Sequence, residues 1–199
     1  MDFRGKGPKL EIREMLRRRY VARSAAAAVA LSIGCAQPPR ADSAPSTAAR
    51  PAPWSSATLA RGAVARVFAT QWQAADNRAS CGLLAPVALG EGQGATPRAA
   101  TFSGGWAVAY DLPDVRSAFG IAGTGSLATD PSYDAWPLRQ RWADGSTAGY
   151  GPEGGTGPNQ LAYLRIAGQR CLYNVWSRLG QQHLEYLLQQ LRFVDLSNR

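Results

Sequence analysis

The chain has little of what most catalytic and metal sites require. It contains one histidine, His183, and no cluster of closely spaced cysteines, so no zinc signature is present. A serine nucleophile needs a base and an exposed elbow, but the chain has no Gly-x-Ser-x-Gly motif. The glycine stretch 151–157 lacks the Gly-Lys-Ser/Thr ending of a phosphate loop, and no dinucleotide fingerprint occurs. We therefore expect no metal, no cofactor and no catalytic residues of these classes.

A membrane-spanning run is also missing. Residues 24–36 are thirteen mostly small or apolar residues, rich in alanine. A transmembrane helix needs about 20 consecutive apolar residues, so this stretch is too short to be an uncleaved anchor.

The same stretch has the layout of an export signal. The basic segment 17–23 precedes an apolar segment, 24–33, and Gly34-Cys35 follows. A cationic region, an apolar region of about 7–15 residues and a small-residue end are typical of secretory signals. Met15 would begin a compact signal of ordinary length, so we take it as the expected start.

The end of that segment, Leu-Ser-Ile-Gly-Cys at 31–35, resembles the lipobox of bacterial lipoproteins, with Ser32 where leucine is usual. The resemblance implies that Cys35 receives a lipid and becomes the mature N-terminus. It also implies a bacterial cell-envelope location, anchored to the membrane and facing the periplasm or the exterior. Two alternatives stay open. Residues 34–36 can be an ordinary cleavage site of a soluble secreted protein, or the alanine run can be a buried helix of a cytosolic protein.

The net charge of +8 suggests an anionic partner, but much of it belongs to the leader. Residues 1–34 hold eight Lys or Arg against three acids, a net of +5. Residues 35–199 hold fourteen Arg, no Lys and eleven acids, a net of +3. Nothing there is a basic run of the kind that tracks phosphates, so we expect no nucleic-acid partner.

Cysteine number agrees with export. If Cys35 is lipidated, Cys81 and Cys171 remain as a pair, and such a pair in an oxidising compartment predicts a disulfide. By the chain-entropy model, closing a loop of about 90 residues stabilises the fold by roughly 4–5 kcal/mol. The alternative is two buried free thiols.

The remaining chain divides by composition. We expect residues 1–34 to be the export signal, residues 35–55, rich in proline, alanine and serine, to be a tether, and residues 56–199 to be one domain. Apolar residues at spacings of three and four predict a first helix over 59–75 and a second over 181–191.

Between the helices the apolar period changes to two, and residues 90–98 read as a polar loop. The predicted strands are 105–111, 116–122, 138–142, 146–151, 161–167 and 171–177. The fold class is therefore α+β, with an antiparallel sheet of about six strands and an N-terminal and a C-terminal helix packed on one face. A barrel-like or cone-shaped sheet is the alternative. After the second helix, residues 192–194 are expected to pack down.

Aromatic residues near predicted loops form the candidate ligand surface. Tyr133, Trp136, Trp142 and Tyr150 lie beside the glycine stretch, and a shared exposed face would suit a sugar ring or a partner chain. The alternative is that they fill the core. His183, at the border of the second helix, is interpreted as a packing or hydrogen-bonding residue.

These features favour a cell-envelope lipoprotein that acts by binding or scaffolding, with the membrane as a partner through Cys35 and an envelope protein or glycan as a possible ligand. One alternative is a hydrolase of an envelope polymer that uses paired carboxylates. Its candidates are Asp111, Asp114, Asp130, Asp134, Asp144 and Glu153. Another alternative is an apolar-ligand carrier, if the sheet curls around a cavity.

Overall fold

A computed structural model describes residues 49–102, 104–124, 136–154 and 159–197. The expected export signal, Cys35 and most of the tether lie outside these residues, as does Tyr133. Among the described residues, no helix has the length and apolarity to cross a bilayer.

The described chain forms two helices and ten strands. The helices are α1 (Arg66–Ala74) and α2 (Gln181–Gln190). The strands are β1 (Leu59–Ala60), β2 (Leu84–Pro86), β3 (Thr96–Ala99), β4 (Trp106–Leu112), β5 (Val115–Thr124), β6 (Leu138–Arg141), β7 (Thr147–Pro152), β8 (Gln160–Arg165), β9 (Leu172–Ser177) and β10 (Leu191–Asp195).

Seven of these strands build an antiparallel sheet in the order β3-β4-β5-β9-β8-β7-β6. Both helices contact this sheet, which confirms the predicted α+β class. The six strands predicted from the period of two are all present, with ends displaced by a few residues. Among the described residues, β3 and β6 are the two edges of this sheet and do not pair with each other, so these strands do not close into a barrel.

The register explains which side chains face the helices. Trp106, Val108 and Tyr110 alternate along β4 with Ala107 and Ala109 on the opposite face. The large residues join the hydrophobic core, and all five are buried. On the alanine face, the Trp176 ring lies over Gly120, the residue of β5 that pairs with Ala109.

The predicted first helix begins too early. Residues 59–60 form β1, which pairs in parallel with β10 through Leu59↔Val194 and Ala60↔Asp195, and a 3-10 turn at Arg61–Ala63 follows. Only then does α1 begin, at Arg66. Backbone pairing with a strand more than a hundred residues away overrides the local helical pattern.

The other short strands were not predicted. β10, preceded by α2, pairs with β1 and β2 in a small mixed sheet, which gives residues 192–194 the packed position expected of them. β3 lies where a polar loop was predicted. Its Pro97 is tolerated because β3 is an edge strand, where a missing N–H breaks no second ladder.

Cys81 and Cys171 form the predicted disulfide across 90 residues of chain. Both are 1 % exposed, so the bond lies within the core. It joins the turn after α1 to the start of β9. The disulfide therefore ties the N-terminal part of the domain directly to the middle of the sheet.

The folded part begins before residue 56, the predicted boundary. Ala52 and Trp54 are buried, and the Trp54 ring meets the Trp142 ring edge-on at a centroid distance of 4.8 Å. The Trp54 indole N–H donates to Asp144 Oδ2 at 2.8 Å, and Arg50 forms a parallel bridge with Trp142. A single tryptophan buries enough apolar surface to hold this proline-rich segment against the sheet.

Candidate functional site

An open groove of about 680 Å³ lies beside the edge strand β6. Three parts of the chain line it: the segment around Arg50, strand β6 with the neighbouring Tyr150, and one side of α2. This volume is in the range of ordinary small-molecule sites, and the open shape also admits a ligand that extends beyond it.

Three arginines surround the groove, and we refer to Arg50, Arg139 and Arg141 as the arginine cluster. All three are exposed. Within the described residues none of these side chains has a hydrogen-bond or ion-pair partner, in contrast to Arg98, whose Nε lies 2.7 Å from Asp111 Oδ2. Because Leu138 pairs with Tyr150, whose hydroxyl bonds Glu185 of α2, the side chains of Arg139 and Arg141 project from the face of β6 that is turned away from α2. They are two positive charges two residues apart on one face of the edge strand.

One wall of the groove is a single side of α2. Gln182, Glu185, Tyr186 and Gln189 follow one another at spacings of one helical turn or less, which places them on one helix face. They supply amides, a carboxylate and a phenol ring. This wall can donate and accept hydrogen bonds, whereas the arginine cluster can only donate.

Glu185 links α2 to Tyr150 of strand β7. Its Oε1 accepts hydrogen bonds from the Tyr150 hydroxyl at 3.1 Å and from Gln181 Nε2 at 2.8 Å. Burial, together with the hydrogen bond to Glu185 and its charge, raises the pKa of Tyr150 to about 12. Tyr150 thus remains a hydrogen-bond donor at neutral pH, and Glu185 is its acceptor.

Tyr186 is the most exposed aromatic ring of the groove, at 37 %. Its ring lies against the backbone of Gly90, where an added Cβ would come within 2.8 Å of Tyr186 Cε1. Gly90 has φ +55°, a conformation that glycine adopts without strain. The close approach of Gly90 sets the position of the ring and leaves its remaining surface in the groove.

The structure corrects the predicted aromatic platform. Trp142 is 1 % exposed and Tyr150 is 8 % exposed, so neither contributes a broad exposed face. Trp136 is half-buried and packs on Tyr163 at a centroid distance of 5.5 Å. Tyr150 and Gly151 point to opposite faces of β7, and Trp136 lies over Gly151, so Trp136 and Tyr150 are on different sides of the sheet.

His183 is only 2 % exposed, so it is more deeply buried than a residue at the border of the helix would be. Its side chain is hydrogen-bonded to Ser177. Its Nδ1 lies 2.9 Å from Ser177 Oγ, and its Nε2 lies 2.9 Å from the Leu89 carbonyl. Because a carbonyl only accepts, Nε2 carries the proton and Nδ1 accepts from the Ser177 hydroxyl. Ser177 Oγ in turn accepts from the Leu179 N–H. Every polar atom of these two side chains has a hydrogen-bond partner, and both side chains are buried.

Two of the candidate carboxylates are held in local structure. Asp111 accepts hydrogen bonds from the Ser117 N–H and the Arg98 guanidinium, which lower its pKa. For Asp144, burial acts to raise the pKa, but the hydrogen bonds from Ser146 and Trp54 outweigh burial and lower it.

Of the other candidate carboxylates, Asp114 and Glu153 are exposed. Asp130 and Asp134 lie outside the described residues. Over the described part of the chain, no group of three or more His, Cys, Asp or Glu is placed to hold a metal ion.

A small apolar void lies between α2 and the sheet, beside Tyr110, Phe119 and Leu187, with a volume of about 10 Å³. A cavity needs about 10–15 Å³ to hold one water molecule, so this void has no room for a lipid or another apolar ligand. It gives no support to the carrier alternative.

Neither the protein-family models, nor the curated proteins, nor the solved structures contain a match to this chain. The groove is therefore interpreted from its own residues. The sequence did not predict the groove because the residues that line it lie far apart along the chain. The local pattern that points to it is the pair Arg139 and Arg141, two residues apart in β6.

Proposed function

We propose that this protein is a lipid-anchored binding module of the bacterial cell envelope, and that the groove beside β6 takes an anionic ligand. The observation that carries the ligand part of the proposal is the arginine cluster: three exposed arginines belong to the lining of one groove, and none of their side chains has a partner among the described residues. The lipobox-like segment ending at Cys35 supports the anchoring part. The Cys81–Cys171 disulfide is consistent with an oxidising compartment.

Physical chemistry favours an anion here. Like charges on neighbouring side chains repel one another, and an anion placed between them relieves that repulsion while forming charge-assisted hydrogen bonds. Arginine suits this role because its planar guanidinium matches carboxylate and phosphate oxygens in bidentate geometry. Arg50 comes from a separate segment of the chain, so the cluster combines the edge strand with a second element.

The location is tested by intact-mass analysis of the protein extracted from membranes. We expect a chain that begins at Cys35 and carries a lipid, and we expect a Cys35→Ala variant to lose the lipid. An extracted chain with an unmodified Cys35, or one that retains the residues before it, would contradict the anchoring part of the proposal.

The groove is tested by affinity electrophoresis of the full chain in gels that contain dextran sulfate, with gels lacking the polymer as reference. A variant with Arg50, Arg139 and Arg141 each changed to Gln is expected to lose most of its retardation. The matched control changes Arg66, Arg116 and Arg170 to Gln, three exposed arginines outside the groove, and so removes the same charge. Equal retardation of the two variants would show that total charge, not the groove, determines anion binding.

A further inference from the structure

We infer that the anionic ligand of the groove is an acidic polypeptide segment in extended conformation, which adds to β6 as a further strand of the sheet. This inference rests on the proposed function and specifies its ligand class. It follows from the backbone of β6, which is an edge of the sheet among the described residues. An edge strand carries N–H and C=O groups that can pair with another chain.

The hairpin between β6 and β7 fixes which backbone groups of β6 point away from the sheet. The Trp142 N–H donates to the Ser146 carbonyl at 3.0 Å, so the hydrogen bonds to β7 come from Trp142 and from every second residue before it. The residues between them turn their backbone groups the other way. The N–H and C=O groups of Arg139 and Arg141 therefore point outward, to the open side of the edge.

The outer side of this strand already accepts an extended segment at one point. Arg50 forms a parallel bridge with Trp142, and the Arg50 carbonyl accepts a hydrogen bond from the Ala143 N–H at 2.9 Å. Nearer the start of β6, the Arg141 N–H and both backbone groups of Arg139 have no partner among the described residues. A strand that lies beside them, at a spacing of about 4.8 Å, satisfies these three groups.

The charge of the edge determines which strand fits. Arg139 and Arg141 are exposed, and their side chains lie on the face of β6 turned away from α2. An added strand places every second side chain on that same face, where carboxylates pair with the two guanidinium groups. A second copy of this chain does not fit, because pairing of two β6 strands brings arginines next to arginines.

The remaining side chains of an added strand enter the groove. They point to the α2 side of β6, where Gln182, Tyr186 and Gln189 line the open volume of about 680 Å³. Amides and a phenol form hydrogen bonds with small polar side chains such as that of threonine. The two faces together favour a segment in which acidic and small polar residues alternate, and such an alternation belongs to an extended polypeptide.

The experiment is isothermal titration of the full chain in mild detergent with capped octapeptides. The acidic probe is four Thr-Glu repeats, and the neutral probe is four Thr-Gln repeats. Two further acidic probes carry backbone N-methyl groups, one on every threonine and the other on every glutamate. Only alternate N–H groups of an added strand face β6, and the others face solvent, so these two probes separate strand addition from binding by charge alone.

We expect the acidic probe to bind about tenfold more tightly than the neutral probe. One of the two methylated probes should lose about tenfold or more in affinity, and the other should bind as the unmethylated acidic probe does, because its methyl groups face solvent.

A pair of variants tests the same edge in the protein. Arg139→Pro removes an outward N–H that the ladder to β7 does not use, whereas Arg139→Gln removes the same charge and keeps the N–H. The proline variant should bind the acidic probe about threefold or more weakly than the glutamine variant. Arg116→Gln, at an exposed arginine outside the groove, is the charge control. Thermal unfolding checks each variant, and the methylated probes decide alone if the proline variant unfolds.

The possible failures are distinguishable. If no probe binds, if the neutral probe binds as tightly as the acidic one, or if the two methylated probes are affected equally or not at all, strand addition is wrong. Retardation by dextran sulfate that still depends on the arginine cluster would then leave anion binding by the groove standing. If changing all three arginines to Gln alters neither this retardation nor the binding of the acidic probe, the proposed anion site fails as well.

Discussion

Removal of the Cys81–Cys171 disulfide should lower the stability of the domain more than any surface change. The perturbation is the double variant Cys81→Ala with Cys171→Ala. The bond closes a loop with a sequence separation of 90, and the chain-entropy model assigns such a loop about 4–5 kcal/mol. Both cysteines are 1 % exposed, so their replacement by alanine also leaves small voids in the core, which adds to the loss of stability.

This loss is a large part of the total stability of a domain, which is typically about 5–15 kcal/mol. The assay is urea unfolding followed by tryptophan fluorescence, with and without a reducing agent. With a denaturant dependence of about 2 kcal/mol per molar urea, the midpoint should fall by about 2 M in the double variant. The reductant should lower the midpoint of the unmodified chain and leave that of the variant unchanged.

The reasoning is refuted if the two midpoints differ by less than about 0.5 M, a quarter of the shift that the loop-closure model implies. It is also refuted if the reductant affects the double variant, because that variant lacks the bond on which the reductant acts.

Two further predictions concern side chains that hold the domain together. Asp144→Asn should lower the unfolding free energy by about 1 kcal/mol at neutral pH, since the exposed position of Asp144 moderates its charge-assisted bonds to Trp54 and Ser146. Because the pKa of Asp144 is lowered in the folded state, this contribution is present above about pH 4 and disappears as the pH falls through the folded-state pKa. The difference in unfolding free energy between the unmodified chain and the variant should therefore shrink in urea titrations at acid pH. A difference that grows there would contradict the assignment. His183→Phe keeps a ring but removes the hydrogen-bond partner of the buried Leu89 carbonyl and of the buried Ser177 hydroxyl. The unfolding free energy should therefore fall by about 2–4 kcal/mol. An unchanged thermal midpoint would show that these hydrogen bonds do not stabilise the fold.

The parts of the fold that could be predicted are those whose signal is local. Alternation of large and small residues along β4 and the leucines of α2 each follow from one element burying one face, and both were recognised correctly. The pairing of Cys81 with Cys171 followed from cysteine number and the expected compartment.

Other elements depend on partners that are distant in sequence. The segment 59–60 has an apolar pattern that suits a helix, yet it forms β1 because β10 offers it a pairing edge. Strand β3 contains Thr96 and Pro97 and lacks a strand signature, yet it extends the sheet because β4 has an open edge there. Short strands of this kind obtain their stability from the neighbour, so composition alone does not reveal them.

The aromatic residues show the same limit within a single strand. The sequence showed that Trp142 and Tyr150 lie near loops, but which face each one takes depends on sheet register and on which face the helices cover. Trp54, assigned to the tether, packs on Trp142 instead because its indole finds both an apolar neighbour and the Asp144 carboxylate.

The amino-acid sequence by itself determined the α+β class, the two-residue period of the sheet strands and the leucine face of the last helix, because each is a repeat within one element. Only the tertiary structure decided the groove. Arg50, Arg139 and Tyr186 lie far apart along the chain, and no local pattern relates them. They line one groove because Trp54 fixes the N-terminal segment beside the sheet and because Glu185 of α2 bonds Tyr150 of β7, the strand next to the edge.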